Sequence, residues 1–201
     1  LYEVTLRTRS GFELTKRFVD LSPGVFPGYS LLTAFGRAAP VNLEYQRQQR
    51  VLPHPFPLLN NHSAMNVIPL HYSWQEFYDQ LIGLTTHTYS WRAIGQRYLA
   101  NTGVIPSAMN VVRSISNEGF GRIRYYSELR RLLQTDSHFH NYLDGATTDI
   151  PEFFLRKLRA NLGSFWEYLP AGALLHDHNA YSKSISTQTN SAFGLSVRPS
   201  V

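Results

Sequence analysis

Between Ser73 and Leu169, apolar residues recur at helical spacing in successive segments that are separated by short turns. An apolar residue at every third or fourth position lies on one face of a helix, where such residues can be buried together. The strongest start signal is Ser73 with Glu76 three residues later, which is the pattern of a capping box. The sequence therefore predicts a helical domain over residues 73–170.

This domain is predicted to contain five helices, because Gly, Asn and Pro punctuate the apolar pattern. The helices are expected over 73–84, 90–100, 107–115, 122–133 and from Asp149 onward. Ser107 is the expected cap of the third helix, and a polar loop is expected over 136–149. The inward face of the fifth helix is predicted to hold Phe154, Leu158, Leu162, Phe165 and Leu169.

The first 72 residues predict less regular structure. Residues 1–52 are interpreted as a short β/α remnant with a weak strand at Tyr2, Val4 and Leu6, a helix over 12–19, a buried strand over 29–35 and a polar helix over 42–51. Three prolines between positions 53 and 57 restrict the backbone and predict an extended connector over 53–72.

After Pro170 the chain is rich in Ser, Thr and Asn and loses helical periodicity, which predicts an extended tail over 171–201. The predicted fold class is mainly α, with a helical C-terminal region, a short N-terminal β/α remnant and this extended tail.

The composition favours a protein that is covered by partners. Aromatic residues make up 13% and charged residues only 16% of the chain, so part of the surface is expected to contact another molecule. The alternative is that Tyr and Trp rings cover ordinary surface. A formal charge of +5 favours anionic neighbours such as a membrane surface, whereas no motif indicates nucleic acid.

The chain contains no cysteine, which excludes thiolate catalysis and cysteine-ligated metal or iron–sulfur sites within it. Two His-x-His pairs, His138 with His140 and His176 with His178, could each bind a metal if they lay on a strand. No strand is predicted at either pair, and surface loops are the better interpretation. Asp136 with His138 lacks any pattern that would fix an acid–base geometry. The sequence therefore assigns no catalytic residue, no metal ligand and no cofactor.

Four segments in a fixed order carry a family resemblance: Leu31-Leu32-Thr33-Ala34-Phe35, Arg50-Val51-Leu52, Asn60-Asn61 and Asn66-Val67-Ile68-Pro69. This order resembles the C-terminal part of cobalamin-binding radical SAM enzymes. The resemblance implies that the cluster, S-adenosylmethionine and cobalamin sites would lie upstream, on a partial barrel. It transfers no catalytic residue to this chain. The stretch Phe35–Pro40 also departs from the Pro-Gly-Thr turn that the family usually has at this place.

The resemblance and the missing cysteines together predict a non-catalytic binding or scaffold subunit of a larger, membrane-associated complex. The alternative is a C-terminal fragment of an active radical SAM methyltransferase. Other protein subunits and an anionic membrane surface are the expected partners, and a cytoplasmic or peripheral membrane location is expected because no apolar run reaches the ~20 residues of a membrane span. The predicted interface residues are Trp166, Tyr181, Phe193 and Leu195.

Overall fold

The computed structural model describes residues 10–29, 31, 34, 40–52, 54–55, 57–58 and 64–175. This part of the chain is mainly α-helical, which confirms the predicted mainly α class, and none of its residues belongs to a multi-residue strand. Residues 176–201 of the predicted extended tail lie outside the described residues. In chain order the helices are α1 (Gly11–Leu21), α2 (Pro40–Arg47), α3 (Trp74–Thr88), α4 (Trp91–Ala100), α5 (Val104–Ile115), α6 (Phe120–Thr135), α7 (Ser137–Leu143), α8 (Glu152–Leu162) and a 3-10 helix (Gly163–Tyr168).

The chain divides into two compact units, each built from two separate stretches. The first unit comprises Leu1–Tyr29 and Pro69–His140, and the second comprises Ser30–Ile68 and Asn141–Val201. The sequence predicts four consecutive segments, whereas each of these units combines two stretches that are distant in sequence. The two divisions are therefore not comparable, and the four segments stay a prediction.

The core of the first unit forms where α3 packs against both α1 and α6. The ring of Phe12 in α1 meets the ring of Phe77 in α3 edge to face, with the ring centroids 5.8 Å apart. The apolar row on α3 predicts a buried face, which is confirmed at Phe77, Leu81 and Leu84. The row on α6 predicts the same for Ile123, Tyr126, Leu129 and Leu133; it is confirmed at the last three, and Ile123 is half-buried.

The capping box that opens α3 is confirmed. The Ser73 hydroxyl accepts a hydrogen bond from the Glu76 backbone N–H (3.2 Å), and the Glu76 carboxylate accepts one from the Ser73 N–H (2.8 Å). Ser90 caps α4 in a similar way by accepting from the N–H of Ala93 at 3.2 Å. Both contacts satisfy backbone donors that the first turn of a helix leaves without an internal partner.

The predicted start of the third helix is wrong. Helix α5 begins at Val104, three residues earlier than expected, and Ser107 lies inside the helix and is buried. Pro106 falls in the first turn, where proline is tolerated because its missing N–H has no helical partner there. The Ser107 hydroxyl bonds outside its own helix, as described below, and therefore does not act as a cap.

The polar loop predicted over 136–149 is also wrong for its first half. Helix α7 occupies Ser137–Leu143, and the Asp136 carboxylate caps it by accepting a 3.0 Å hydrogen bond from the N–H of Phe139. The polar composition of this segment obscured three apolar residues at helical spacing, all of which are buried: Phe139, Tyr142 and Leu143.

The fifth predicted helix exists but begins later than expected. Helix α8 starts at Glu152 directly after Pro151, and the N–H of Asp149 bonds the Thr147 hydroxyl at 3.2 Å. The prediction that Asp149 caps the helix is wrong, because Pro151 occupies the position before its first turn.

The predicted inward face of α8 is confirmed at Phe154 and Leu158, which are buried, but it is wrong at Phe165, which is 71% exposed. Leu162 is half-buried. Gly163 adopts a positive φ of 54° and ends the α-helix. With a ψ of −126°, Gly163 redirects the chain between Leu162 and Phe165, so Phe165 does not continue the buried face of α8. Leu169, after the 3-10 helix, is half-buried.

The described part of the N-terminal remnant contains two helices and no multi-residue strand. Helix α1 confirms the helix predicted over 12–19, and residues Tyr29, Leu31 and Ala34 do not form the predicted strand. The weak strand predicted at residues 2–6 lies outside the described residues. Helix α2 spans 40–47, two residues earlier at its start and four earlier at its end than the helix predicted over 42–51.

A left-handed residue ends α2 early. Gln49 has a φ of 54°, its N–H bonds the carbonyl of Gln46 at 2.9 Å, and the N–H of Arg50 bonds the carbonyl of Tyr45 at 3.0 Å. This pair of bonds is a Schellman motif, which stops a helix and turns the chain away. In the predicted connector, residues 57–58 are helical and residues 54–55 and 64–72 are not.

Candidate docking surface

Helix α5 has its polar and apolar faces in the reverse of the usual arrangement. Ser107 and Ser114 are the two buried residues of this helix, whereas its large apolar side chains point to solvent. The exposed fractions are 80% for Val104, 77% for Ile105 and about half for Met109, Val112 and Ile115. A helix of a soluble protein normally buries its apolar stripe, so this outward stripe needs a separate explanation.

Hydrogen bonds to polar groups keep the serine face of α5 inside. The Ser107 hydroxyl donates to the carbonyls of Tyr98 (3.1 Å) and Asn101 (3.4 Å), at the end of α4. The Ser114 hydroxyl donates to the carbonyl of Asn110 and accepts a bond from the Arg97 guanidinium. Buried polar groups require such partners because an unsatisfied one costs about 1–3 kcal/mol.

Arg97 is the central buried group of this arrangement. It is 2% exposed, and its Nη2 donates to the carbonyl oxygen of Thr88 at 2.7 Å and to the Ser114 hydroxyl at 3.4 Å. Within the described part of the chain it forms no ion pair, and its Nε has no hydrogen-bond partner. Its guanidinium lies 5.8 Å from the ring centre of Phe26 and 5.9 Å from that of Tyr89. Burial lowers the pKa of Arg97 from its ordinary value, and the ring faces and the carbonyl offset part of the cost of the buried charge.

The tyrosines beside Arg97 attach the segment 26–29 to the same site. The Tyr29 hydroxyl lies 2.8 Å from the Thr88 hydroxyl, and the Tyr89 hydroxyl donates to the carbonyl of Pro27 at 2.8 Å. Burial raises the pKa of both tyrosines above 10, so both are neutral at physiological pH. The polar interior therefore holds α3, α4 and α5 in fixed positions.

Helix α4 adds three exposed side chains to the apolar surface. Leu99 is 82% exposed just before the turn into α5, and Trp91 and Tyr98 are also exposed. We define the α4–α5 surface as these exposed residues of the two helices: Trp91, Tyr98, Leu99, Val104, Ile105, Met109, Val112 and Ile115. Exposed apolar groups of this kind, close together along the chain, are typical of interaction sites.

The charge of this region is predominantly positive. The sequence holds no acidic residue between Asp79 and Glu118, and residues 80–127 contain five arginines and one glutamate, a formal charge of +4. Arg92 and Arg124 are exposed and form no ion pair within the described residues, while Arg113 pairs with Glu118 at 2.7 Å. The α4–α5 surface thus lies in the part of the sequence that carries most of the net positive charge.

Of the predicted interface residues, only Trp166 lies within the described residues, and Tyr181, Phe193 and Leu195 lie outside them. Trp166 sits half-buried in the 3-10 helix, and the Arg159 guanidinium stacks on its ring at 4.7 Å. Trp74 is buried in the core, whereas Trp91 is 69% exposed on α4.

The histidine pair His138–His140 lies on helix α7, where residues two apart point in nearly opposite directions. Both side chains are exposed. The part of the chain that the structure describes holds no group of three metal-ligating side chains, and the pair His176–His178 lies outside that part. Asp136 caps α7, so its carboxylate is already bonded to the backbone.

Asn66, from the segment that carries the family resemblance, makes two hydrogen bonds to the backbone of another segment. Its amide is fully buried, accepts a bond from the N–H of Ala34 at 2.7 Å and donates to the carbonyl of Ala34 at 2.9 Å. This two-bond clamp joins two segments of the second unit that are distant in sequence. It explains why a polar residue stands between buried Met65 and Val67.

Comparisons with known proteins leave the resemblance untested. No family model matches the chain, and no curated protein or solved structure matches it either. Among the described residues, every helix is too short or too polar to span a bilayer.

Proposed function

We propose that this chain is a binding or scaffold subunit that works through the α4–α5 surface in a larger assembly. The observation that supports the proposal is the reversed α5, with its serines bonded inside and Ile105, Val104 and Leu99 more than three-quarters exposed. The buried bonds of Arg97 fix this arrangement, so the surface is preorganised and association requires little further ordering. Descent from a radical SAM C-terminal region stays a prediction.

The test is a comparison of native extracts by size-exclusion chromatography. The wild-type chain is expected in a high-mass fraction, and the Val104→Glu/Ile105→Glu double variant is expected to leave it, because buried carboxylates would face the partner. Leu21→Glu is the matched control, since Leu21 is 76% exposed on α1. Equal elution of all three chains would contradict the proposal.

The alternative, a fragment of an active radical SAM enzyme, can be tested in the same extract by the mass of the natural protomer and its binding of iron. A natural protomer far above the 23.0 kDa of this chain that binds iron would support the enzyme. A protomer near that mass would support the separate subunit.

A further inference from the structure

We propose that the surface against which α4–α5 docks is an anionic membrane. This inference rests on the proposed function and names the partner of the same surface. A lipid bilayer offers an apolar interior and, where its headgroups are acidic, a negative surface. The α4–α5 surface has three properties that match the apolar interior and the negative surface of such a bilayer.

The first property is the exposed apolar row on two adjacent helices. Leu99 precedes the turn at residues 101–103, and Val104 and Ile105 follow it, so the most exposed aliphatic side chains surround one turn. Such a row can enter the boundary between headgroups and acyl chains while the helices lie parallel to it. The two serines of α5 stay bonded within the protein, so neither hydroxyl must lose a partner on insertion.

The second property is the type of aromatic residue beside this row. Trp91 and Tyr98 are 69% and 46% exposed on α4. Both have a ring that prefers apolar surroundings and one polar group that prefers water, which is why Trp and Tyr are enriched at membrane interfaces. An interface with another protein would accept these residues too, so this property alone does not choose the membrane.

The third property is charge, which matches the acidic headgroups of such a membrane. The 38 residues between Asp79 and Glu118 contain no carboxylate that would be repelled by acidic headgroups. Arg92 lies beside Trp91 on α4, is exposed and has no ion pair among the described residues. Each arginine near an acidic bilayer adds attraction that decays within a Debye length, about 10 Å at 0.1 M salt.

The α1 helix provides an internal comparison. It also exposes an apolar stripe, formed by Leu14, Phe18 and Leu21. This stripe lies among Glu13, Lys16, Arg17 and Asp20, so its charges balance. Of these two stripes, the one on α4–α5 lies in a run of sequence without carboxylates and beside Arg92, which is exposed and forms no ion pair among the described residues.

The experiment is cosedimentation of the full chain with vesicles of phosphatidylcholine alone or mixed with phosphatidylglycerol. Wild type is expected to bind the mixed vesicles and to release as salt is raised. Ile105→Glu should weaken binding by about tenfold or more, and Arg92→Gln by about fivefold. The matched controls Leu21→Glu and Arg131→Gln, the latter at a residue that pairs with Glu128, should bind like wild type.

Failure to bind mixed vesicles would overturn the inference, as would equal binding to neutral and anionic vesicles or equal loss in Ile105→Glu and Leu21→Glu. If the chain does not bind vesicles but the double variant still elutes outside the high-mass fraction, the α4–α5 surface binds a protein and the proposed function survives. If both tests fail, the proposed function falls as well. Circular dichroism of each variant verifies that the helices are intact.

Discussion

The Nη2 atom of Arg97 donates a 2.7 Å hydrogen bond to the carbonyl oxygen of Thr88, the last residue of α3. The carbonyls at the C-terminus of a helix carry a partial negative charge and lack helical donors, so a cation there is stabilising. Because Arg97 belongs to α4 and also contacts Ser114 of α5, one side chain connects three helices. This connection holds the reversed α5 in place.

Arg97→Met tests this connection. The substitution keeps the length of the side chain but leaves the Thr88 carbonyl and the Ser114 hydroxyl without their donor, so we expect a loss of about 2 kcal/mol in the free energy of unfolding. Urea denaturation measures the loss. Arg92→Met is the matched control on the same helix, since Arg92 is exposed, and its effect should lie within about 0.5 kcal/mol of zero. Equal midpoints for the two variants would show that the buried cation contributes nothing.

Leu158→Ala tests the core of the second unit. Leu158 is completely buried on α8, so the cavity left by the substitution should cost about 2–5 kcal/mol. Phe165→Ala removes a larger side chain from the same stretch of sequence. Because Phe165 is 71% exposed, this substitution should lower the free energy of unfolding only slightly. The opposite order of the two losses, again measured by urea denaturation, would mean that α8 presents another face to its unit.

Tyr142→Phe is expected to be harmless at neutral pH. The Tyr142 hydroxyl is buried without a hydrogen-bond partner among the described residues, and its ring stacks on His54 with centroids 4.5 Å apart. Removing an unpaired buried hydroxyl should leave the free energy of unfolding equal or higher. A clear loss of stability at pH 7 would show that the hydroxyl has a partner after all.

Tyr142→Phe is also expected to change how the free energy of unfolding depends on pH in the alkaline range. Burial raises the pKa of Tyr142 above its ordinary value of 10.0. The folded state therefore keeps a proton that the unfolded chain releases, and stability is full below pH 10 and falls as pH rises beyond it. Tyr142→Phe should lose stability less steeply above pH 10 than wild type, as measured by urea midpoints across that range. Parallel curves for the two proteins would contradict the raised pKa.

Sequence patterns predicted those elements whose burial follows apolar periodicity. The α3 capping box and the α6 stripe are local signals, and the structure confirms both. Helix α5 shows the limit of this reasoning, because apolar residues at helical spacing were expected to face inward, and Ser107 was expected to be a cap. Its orientation depends on Arg97 and the end of α4, which are contacts that no local pattern reveals.

Helix α7 was missed for a different reason. Its seven residues have a polar composition, and burial of Phe139 and Leu143 depends on tertiary packing more than on helix propensity. The end of α8 was missed because the change from α-helix to 3-10 helix depends on the positive φ of Gly163. A glycine at this position permits that conformation without requiring it.

Thiol labelling tests the reversed orientation of α5 most directly. The chain has no cysteine, so a single introduced cysteine is its only thiol. Ile105 is 77% exposed and Ser114 is fully buried. In the purified folded chain, Ile105→Cys should react with a thiol reagent nearly as fast as it does in urea, whereas Ser114→Cys should be strongly protected. Fast reaction of Ser114→Cys and protection of Ile105→Cys would contradict the α4–α5 surface and every proposal built on it.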